Sequence, residues 1–156
     1  MVMLPHDLKR LRRLFCGLET LQRPQLEGVY EGRFVGPLMA RDVAPLGFAL
    51  AGLRGWWGQA FDGAGRGHHL LKKGGEVERA VPLEVASKSS LVDGRESLVV
   101  SAIDAPRVMV EPRRLDDSRL LAMVSIRSRA LRRLAWPYLL ERVDSPQAVQ
   151  TRIAPG

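Results

Sequence analysis

The sequence predicts a mainly β protein whose antiparallel strands form a barrel or a strongly curved sheet around one apolar core. Short apolar segments with strand-like alternation recur along most of the chain, and glycine- or aspartate-containing turn signals separate them. One such segment, residues 120–126, is apolar on both faces, so another element must cover the outside of the sheet there. A chain of 156 residues is long enough to bury a sizeable core.

A helix is predicted at the N-terminus, over residues 7–21. Its leucines and Phe15 recur at three- and four-residue spacings and form one apolar stripe, while the basic side chains lie on the opposite side. Asp7 is the predicted N-cap, and Arg23 and Pro24 follow the predicted end of the helix. We expect this helix to pack against the domain; a lid or a helix on a membrane surface is the alternative.

The first strand is predicted between Pro24 and Pro37. The residues after it, 41–53, are rich in alanine and leucine and predict a short helix that leads to the next strand. Gly52 and Gly55 are placed to close that helix.

The rest of the chain predicts a meander, for a total of about seven or eight strands. The later strand-like segments read GWWGQAF, GHHLLKK, EVERAVPLEVASKSSL, RESLVVSAI, RVMVEP, SRLLAMVSI and WPYLLERV. Turn signals at Gly74-Gly75 and Asp93-Gly94 separate three of them. We therefore predict one domain over residues 1–144 and a flexible tail over residues 145–156.

The net charge of +7 is concentrated in two segments, residues 1–13 and residues 127–133, which together account for the whole excess. Two local basic patches are thus predicted, not a basic surface along the whole chain. No apolar run is long enough to cross a bilayer, and the N-terminus lacks the apolar stretch of a signal peptide, so a cytoplasmic location is expected. The single cysteine, Cys16, excludes a disulfide framework within the chain and is expected to be buried and inert.

Few residues offer catalytic chemistry. The chain has no nucleophile elbow, P-loop or zinc-protease motif. In an extended segment His68 and His69 point to opposite faces, so they cannot both bind one metal ion, and neither a metal site nor a cofactor is predicted. At most one of them faces the interior, where it could donate a hydrogen bond or act as a base; the pattern favours the alternative, a solvent-exposed histidine in a turn. For an enzyme, the candidate acids and bases are His69, Asp62 and Glu84, although Glu84 lies on the face opposite its apolar neighbours.

The aromatic residues are concentrated in three strand-like segments. Tyr30 shares a face with Phe34, Trp57 with Phe61, and Trp136 with Tyr138. A barrel of this size is either filled by side chains or leaves room for one small ligand, so core packing and a ligand cavity both remain open. For the cavity, the predicted ligand-binding residues are Tyr30, Arg33, Trp57, Phe61, His69, Trp136 and Tyr138.

Residues 15–34, FCGLETLQRPQLEGVYEGRF, resemble the opening of a family of small bacterial proteins named for a Gly-x-Trp-x-Gly motif. The matching residues run from Gly28 to Gly32, with Tyr30 in place of the tryptophan. The segment GWWGQAFD is similar to the one that follows in that family, and residues 94–126 look like its companion domain of unknown function. This resemblance, over roughly residues 15–143, implies a lipocalin-like barrel with a small-ligand role and no established reaction.

Three functions remain open at this level. The first is binding of a hydrophobic or amphipathic small molecule in the barrel, with Arg33 meeting a polar head. The second is an enzyme, such as an isomerase, cyclase or hydrolase, that uses the same cavity. The third, ranked last, is binding of nucleic acid or an anionic membrane through the basic patches, which lack interleaved aromatic residues. A homodimer is left open.

Overall fold

The computed structural model describes residues 3–37, 41–42, 44–45, 48–49, 52–127, 135–143 and 153–154. Within them, eight antiparallel strands form a closed barrel, because each strand pairs with the next and the last returns to the first. The strands are β1 (Glu27–Phe34), β2 (Trp56–Asp62), β3 (Arg66–Lys73), β4 (Glu76–Ser89), β5 (Glu96–Ala102), β6 (Ala105–Arg114), β7 (Arg119–Ile126) and β8 (Ala135–Arg142). The predicted barrel is confirmed.

The turn between β3 and β4 illustrates how local sequence sets the meander. Gly74 and Gly75 both have positive φ, 57° and 84°, and they join the paired residues Lys73 and Glu76. Such a two-residue connection matches the twist of the strands only where both residues tolerate positive φ, which glycine does without steric cost. The hairpin predicted at this position is confirmed.

The predicted tail is described at two residues alone. Ile153–Ala154 form a short strand, β9, that pairs in parallel with Val77 and Glu78 of β4. Residues 144–152 and 155–156 lie outside the described residues.

The N-terminal helix, α1, spans Leu8–Gly17 and is therefore shorter than predicted at its C-terminal end. Asp7 is the N-cap, as predicted, and its carboxylate accepts a hydrogen bond of 2.7 Å from the Lys9 amide. Leu18 ends the helix in an extended conformation. At that end the Arg95 guanidinium donates to the carbonyls of Cys16 and Leu18, which the helix leaves without partners.

Helix α1 packs on the outside of the barrel, where it covers β7. Phe15 is fully buried in a cluster with Leu121 and Met123, while Ala122 and Val124 of the same strand belong to the core inside the barrel. This double coverage explains why β7 is apolar on both faces, and it confirms the predicted packing of the helix against the domain.

A buried ion pair lies beneath the helix. Arg113 of β6 is fully buried, and its two terminal nitrogens donate to the Asp93 carboxylate at 2.6 Å and 2.9 Å. The same guanidinium donates to the Phe15 carbonyl at 3.1 Å and lies 4.1 Å from the centre of the Phe15 ring. These contacts hold the pKa of Asp93 well below its usual range. Asp93, which sequence reasoning assigned to a turn alone, thus joins the β4–β5 loop to β6 and α1.

The interior of the barrel is filled at one end and partly empty at the other. Apolar side chains such as Leu26, Tyr30, Phe61, Leu83 and Leu140 fill the first end. Near the other end runs the connection from β1 to β2. Within it, residues 41–42, 44–45 and 48–49 are helical, as predicted, whereas residues 52–53, the predicted end of that helix, are not helical. The remaining positions of the predicted helix lie outside the described residues.

Candidate functional site

A cavity of about 240 Å³ occupies the partly empty end of the barrel. Its lining is mostly apolar and consists of Phe34, Ala44, Phe48, Leu53, His69, Val108, Val110, Val124, Ile126, Trp136, Pro137 and Tyr138. Among the described residues, no aspartate, glutamate, lysine or arginine lines this space. An apolar cavity with a few polar groups is the usual form of a small-molecule site.

Strand alternation and register direct the aliphatic side chains into this cavity. Val110 of β6 pairs with Val124 of β7, and Val108 pairs with Ile126 two residues further along. All four therefore point to the same face of the sheet, the inside of the barrel. Val108 is 40% exposed, which places the mouth of the cavity at this end of the two strands.

An aromatic cluster centred on Trp56 lies behind the cavity wall, to which its members Phe34, Phe48 and Tyr138 contribute. The Trp56 ring centre lies 4.9 Å from that of Phe48, 5.1 Å from that of Tyr138 and 5.4 Å from that of Phe34. The indole also lies directly against Gly32, where an added Cβ would collide with the Trp56 ring. The glycine at the end of the Gly-x-Tyr-x-Gly segment is thus required by the close approach of this tryptophan.

A chain of polar groups runs from Tyr138 to His69 along this wall. The Tyr138 hydroxyl donates to Gln59 Oε1 at 3.0 Å, and Gln59 Nε2 lies 3.5 Å from His69 Nδ1. The Trp56 indole donates to the same His69 Nδ1 at 3.1 Å. Burial lowers the pKa of His69 to about 4 and raises that of Tyr138, so both side chains are uncharged at neutral pH.

Of the seven predicted ligand-binding residues, the cavity brings together three: His69, Trp136 and Tyr138. Tyr30 and Phe61 also face the inside of the barrel, but they lie in its filled end, where their rings contact each other edge to face at 6.2 Å. The Tyr30 hydroxyl donates to the Glu27 carbonyl there.

Arg33 and Trp57 lie away from the cavity. Arg33 is on the surface, with 71% of its side chain exposed, and its Nη2 lies 3.4 Å from Glu141 Oε2. Trp57 packs against a separate cluster that contains Ala60 and Leu70, whereas Phe61 belongs to the interior core. The prediction that Trp57 and Phe61 share a face is wrong, because the register of β2 shifts between Trp56 and Gly58 and interrupts the alternation.

Sequence reasoning missed Trp56, Phe48 and Gln59 as parts of this site. An aromatic pair at positions 56–57 could have signalled that one of the two rings points inward, but the alternation assigned Trp57. Phe48 comes from the β1–β2 connection, whose helical pattern does not indicate which side meets the barrel. Gln59 is fully buried, and only its alternation with Phe61 could have placed it inside.

Of the three candidate acids and bases, two lie outside the cavity and one lies in it. Asp62 and Glu84 are exposed and do not line the cavity, and the Asp62 carboxylate accepts hydrogen bonds from the amides of Ala64 and Arg66 in a turn. His69 is the one of the three that lies in the cavity. With its pKa lowered to about 4, it is a weak base at neutral pH.

Of the two predicted basic patches, the structure describes the one on helix α1 and only Arg127 of the other. Lys9, Arg10 and Arg13 are exposed on α1, whereas residues 128–133 lie outside the described residues. Among the described residues, no three histidine, cysteine, aspartate or glutamate side chains come together as a metal site would require. No helix in the described part of the chain is long and apolar enough to cross a membrane.

Comparison with known proteins adds a structural neighbour. A crystal structure of a protein from Thermomonospora curvata is similar to this chain, with a TM-score of 0.68, 15% sequence identity and 88% of each chain covered. At that identity the similarity shows a shared fold. No protein-family model and no curated protein matches the chain.

Proposed function

We propose that this protein binds a small hydrophobic or amphipathic molecule in the cavity at the partly empty end of the barrel. The observation that carries the proposal is the cavity itself, an apolar space of about 240 Å³ with one neutral imidazole in its wall. A void of this size costs stability when it stays empty, because its lining loses packing contacts. An apolar ligand would restore those contacts.

The size of the cavity limits the ligand. An apolar protein cavity of about 150 Å³ binds benzene, so by proportion this one accommodates roughly ten non-hydrogen atoms. That space suits a substituted ring or a short branched chain. A longer amphipathic molecule would extend through the mouth beside Val108, where the wall is exposed.

The resemblance to the Gly-x-Trp-x-Gly family agrees with this proposal, and we infer that the chain is a divergent member. Within its segment from Gly28 to Gly32, Gly32 leaves room for the indole of Trp56, which packs against the cavity-lining ring of Phe34.

The proposal is tested by measuring thermal unfolding of the purified protein with a panel of neutral aromatic and branched aliphatic compounds of about this size. A ligand at about 100 times its Kd raises the free energy of unfolding by about 2.7 kcal/mol, which appears as a higher Tm. Isothermal titration then gives the Kd of each compound that raises the Tm. We expect several members of the panel to bind.

Val124→Phe tests whether they bind in this cavity. Val124 lines the cavity and is nearly fully buried, so the larger ring should occupy the ligand space and weaken binding at least about tenfold. Val29→Phe is the matched control, because Val29 is half-buried and packs against the separate cluster that contains Trp57. The proposal is overturned if no compound binds, or if Val124→Phe binds them as tightly as Val29→Phe does.

A further inference from the structure

We propose that the ligand group that reaches His69 is an uncharged hydrogen-bond acceptor, such as the carbonyl oxygen of a ketone, ester or amide. This inference rests on the proposed function and narrows it to one ligand class. It excludes anions such as carboxylates from the inner part of the cavity.

The hydrogen bonds around His69 determine which ring nitrogen carries the proton. The Trp56 indole can only donate, and it lies 3.1 Å from Nδ1, so Nδ1 must accept. The Gln59 amide is oriented consistently, because its oxygen accepts from the Tyr138 hydroxyl and its nitrogen faces the same Nδ1. A neutral imidazole whose Nδ1 accepts carries its proton on Nε2.

That Nε2–H has no acceptor among the described residues. His69 is 8% exposed and lines the cavity, and its hydrogen-bond partners among the described residues, Trp56 and Gln59, both lie at the other nitrogen. A ligand that fills the cavity covers this donor, so a ligand that accepts its hydrogen bond is favoured over one that leaves the donor without a partner, which costs free energy. Trp56 acts here as a positioning residue, since its indole holds the tautomer.

The rest of the described lining offers no charged partner to a ligand. No charged side chain of the described residues lines the cavity to neutralise a carboxylate. The cationic candidate suggested by the sequence, Arg33, is paired with Glu141 on the outer surface. Arg107 and Arg127 are exposed and adjoin Val108 and Ile126 in the chain, and neither belongs to the lining of the cavity. Burying an unpaired carboxylate next to His69 would therefore be strongly unfavourable.

Three compounds of one shape test the proposal in the wild-type protein. Acetophenone, α-methylstyrene and benzoate have the same number of non-hydrogen atoms but carry, respectively, a neutral acceptor, no acceptor and a negative charge. We expect acetophenone and α-methylstyrene to bind and benzoate to bind at least about 100-fold more weakly than acetophenone at pH 7. Benzoate binding as tightly as acetophenone would overturn the inference. Failure of all three compounds to bind would instead count against the proposed function.

His69→Phe separates the hydrogen bond from general affinity for apolar compounds. Removing the donor should weaken acetophenone relative to α-methylstyrene by about five- to tenfold, the effect of one neutral hydrogen bond. His68→Phe is the matched control. The His68 ring does not line the cavity, so the ratio of the Kd for acetophenone to the Kd for α-methylstyrene should stay at the wild-type value. An unchanged ratio in His69→Phe would refute the role of His69 while leaving the apolar cavity site intact.

The tautomer itself is measurable without a substitution. A long-range proton–nitrogen NMR spectrum of the wild-type protein should show His69 as the neutral form protonated at Nε2 at pH 7. Acetophenone should shift the Nε2 signal more than α-methylstyrene does. A ring protonated at Nδ1 would overturn the proposal even if the His69 variants fail to fold.

Discussion

Asp93→Asn should destabilise the protein far more than an aspartate substitution in a turn usually does. The change keeps the size of the side chain and the oxygen that accepts from the Arg95 amide, but it removes the negative charge. The fully buried guanidinium of Arg113 is then left without its counter-ion. Asparagine also suits the turn before Gly94, so the turn itself should not be strained.

The magnitude follows from the burial of the pair. Arg113 is 0% exposed and the Asp93 side chain 14%, and the two make bonds of 2.6 Å and 2.9 Å. Breaking such a pair by removing one partner costs about 3–5 kcal/mol, because the remaining charge is desolvated and unpaired. A protein of this size has a free energy of unfolding of about 5–15 kcal/mol, so the loss would be a large share of the total.

Urea denaturation followed by tryptophan fluorescence measures the effect. The matched control is Asp116→Asn: Asp116 also lies in a turn and pairs with Arg119 at 2.6 Å, but its side chain is 31% exposed. We expect a loss of less than about 1 kcal/mol there. The double variant Asp93→Asn/Arg113→Met should recover much of the stability, because it leaves no unpaired charge at position 113 and asparagine still accepts from the Arg95 amide. Equal losses in Asp93→Asn and Asp116→Asn would refute the reasoning.

Three further predictions follow from the same structure. In Gly32→Ala the new methyl group collides with the Trp56 ring, so the Tm and the ligand affinity should both fall. Isothermal titration measures the Kd of one compound for this variant and for the wild type, and equal values would contradict the prediction. As the pH falls from 6.5 to about 4, His69 becomes protonated in the unfolded chain but stays neutral in the folded protein, so the contribution of His69 to the free energy of unfolding should decrease by about 3 kcal/mol. In His69→Phe, urea denaturation across this pH range should show a free energy of unfolding that changes less with pH than in the wild type. If its slope against pH is the same in both proteins, burial of His69 is not the cause of the pH dependence. Phe15→Ala removes the ring that packs against Leu121 and should cost about 3–5 kcal/mol by urea denaturation, whereas a loss below 1 kcal/mol would mean that helix α1 contributes little.

Much of the fold could be predicted because it depends on short-range patterns. The apolar stripe of α1, its N-cap Asp7 and the glycine pair at residues 74–75 act within a few residues of themselves. The double apolar pattern of β7 even predicted that another element covers the barrel from outside. The C-terminal end of α1 was predicted four residues too late, since the apolar periodicity continues through Leu21 after the helix has ended.

The candidate site could be predicted only in part. The sequence indicated that aromatic residues concentrate in strands whose side chains could face a common interior. It could not decide which of them meet, because an irregularity in β2 interrupts the alternation between Trp57 and Phe61. Nor could it separate the filled end of the barrel, with Tyr30, from the empty end, with Tyr138, since that depends on the volumes of side chains from all eight strands.

The sequence by itself thus determined the order of the strands, the helix that covers them and the apolar character of the interior. These are properties of local periodicity and composition, and neighbouring residues are enough to express them. Only the tertiary structure decided that Asp93 pairs with Arg113, that Gln59 and Trp56 hold His69, and that a cavity with an apolar described lining remains at one end of the barrel. Those outcomes depend on contacts between residues distant in the chain, and strand register and barrel closure set the distances between them.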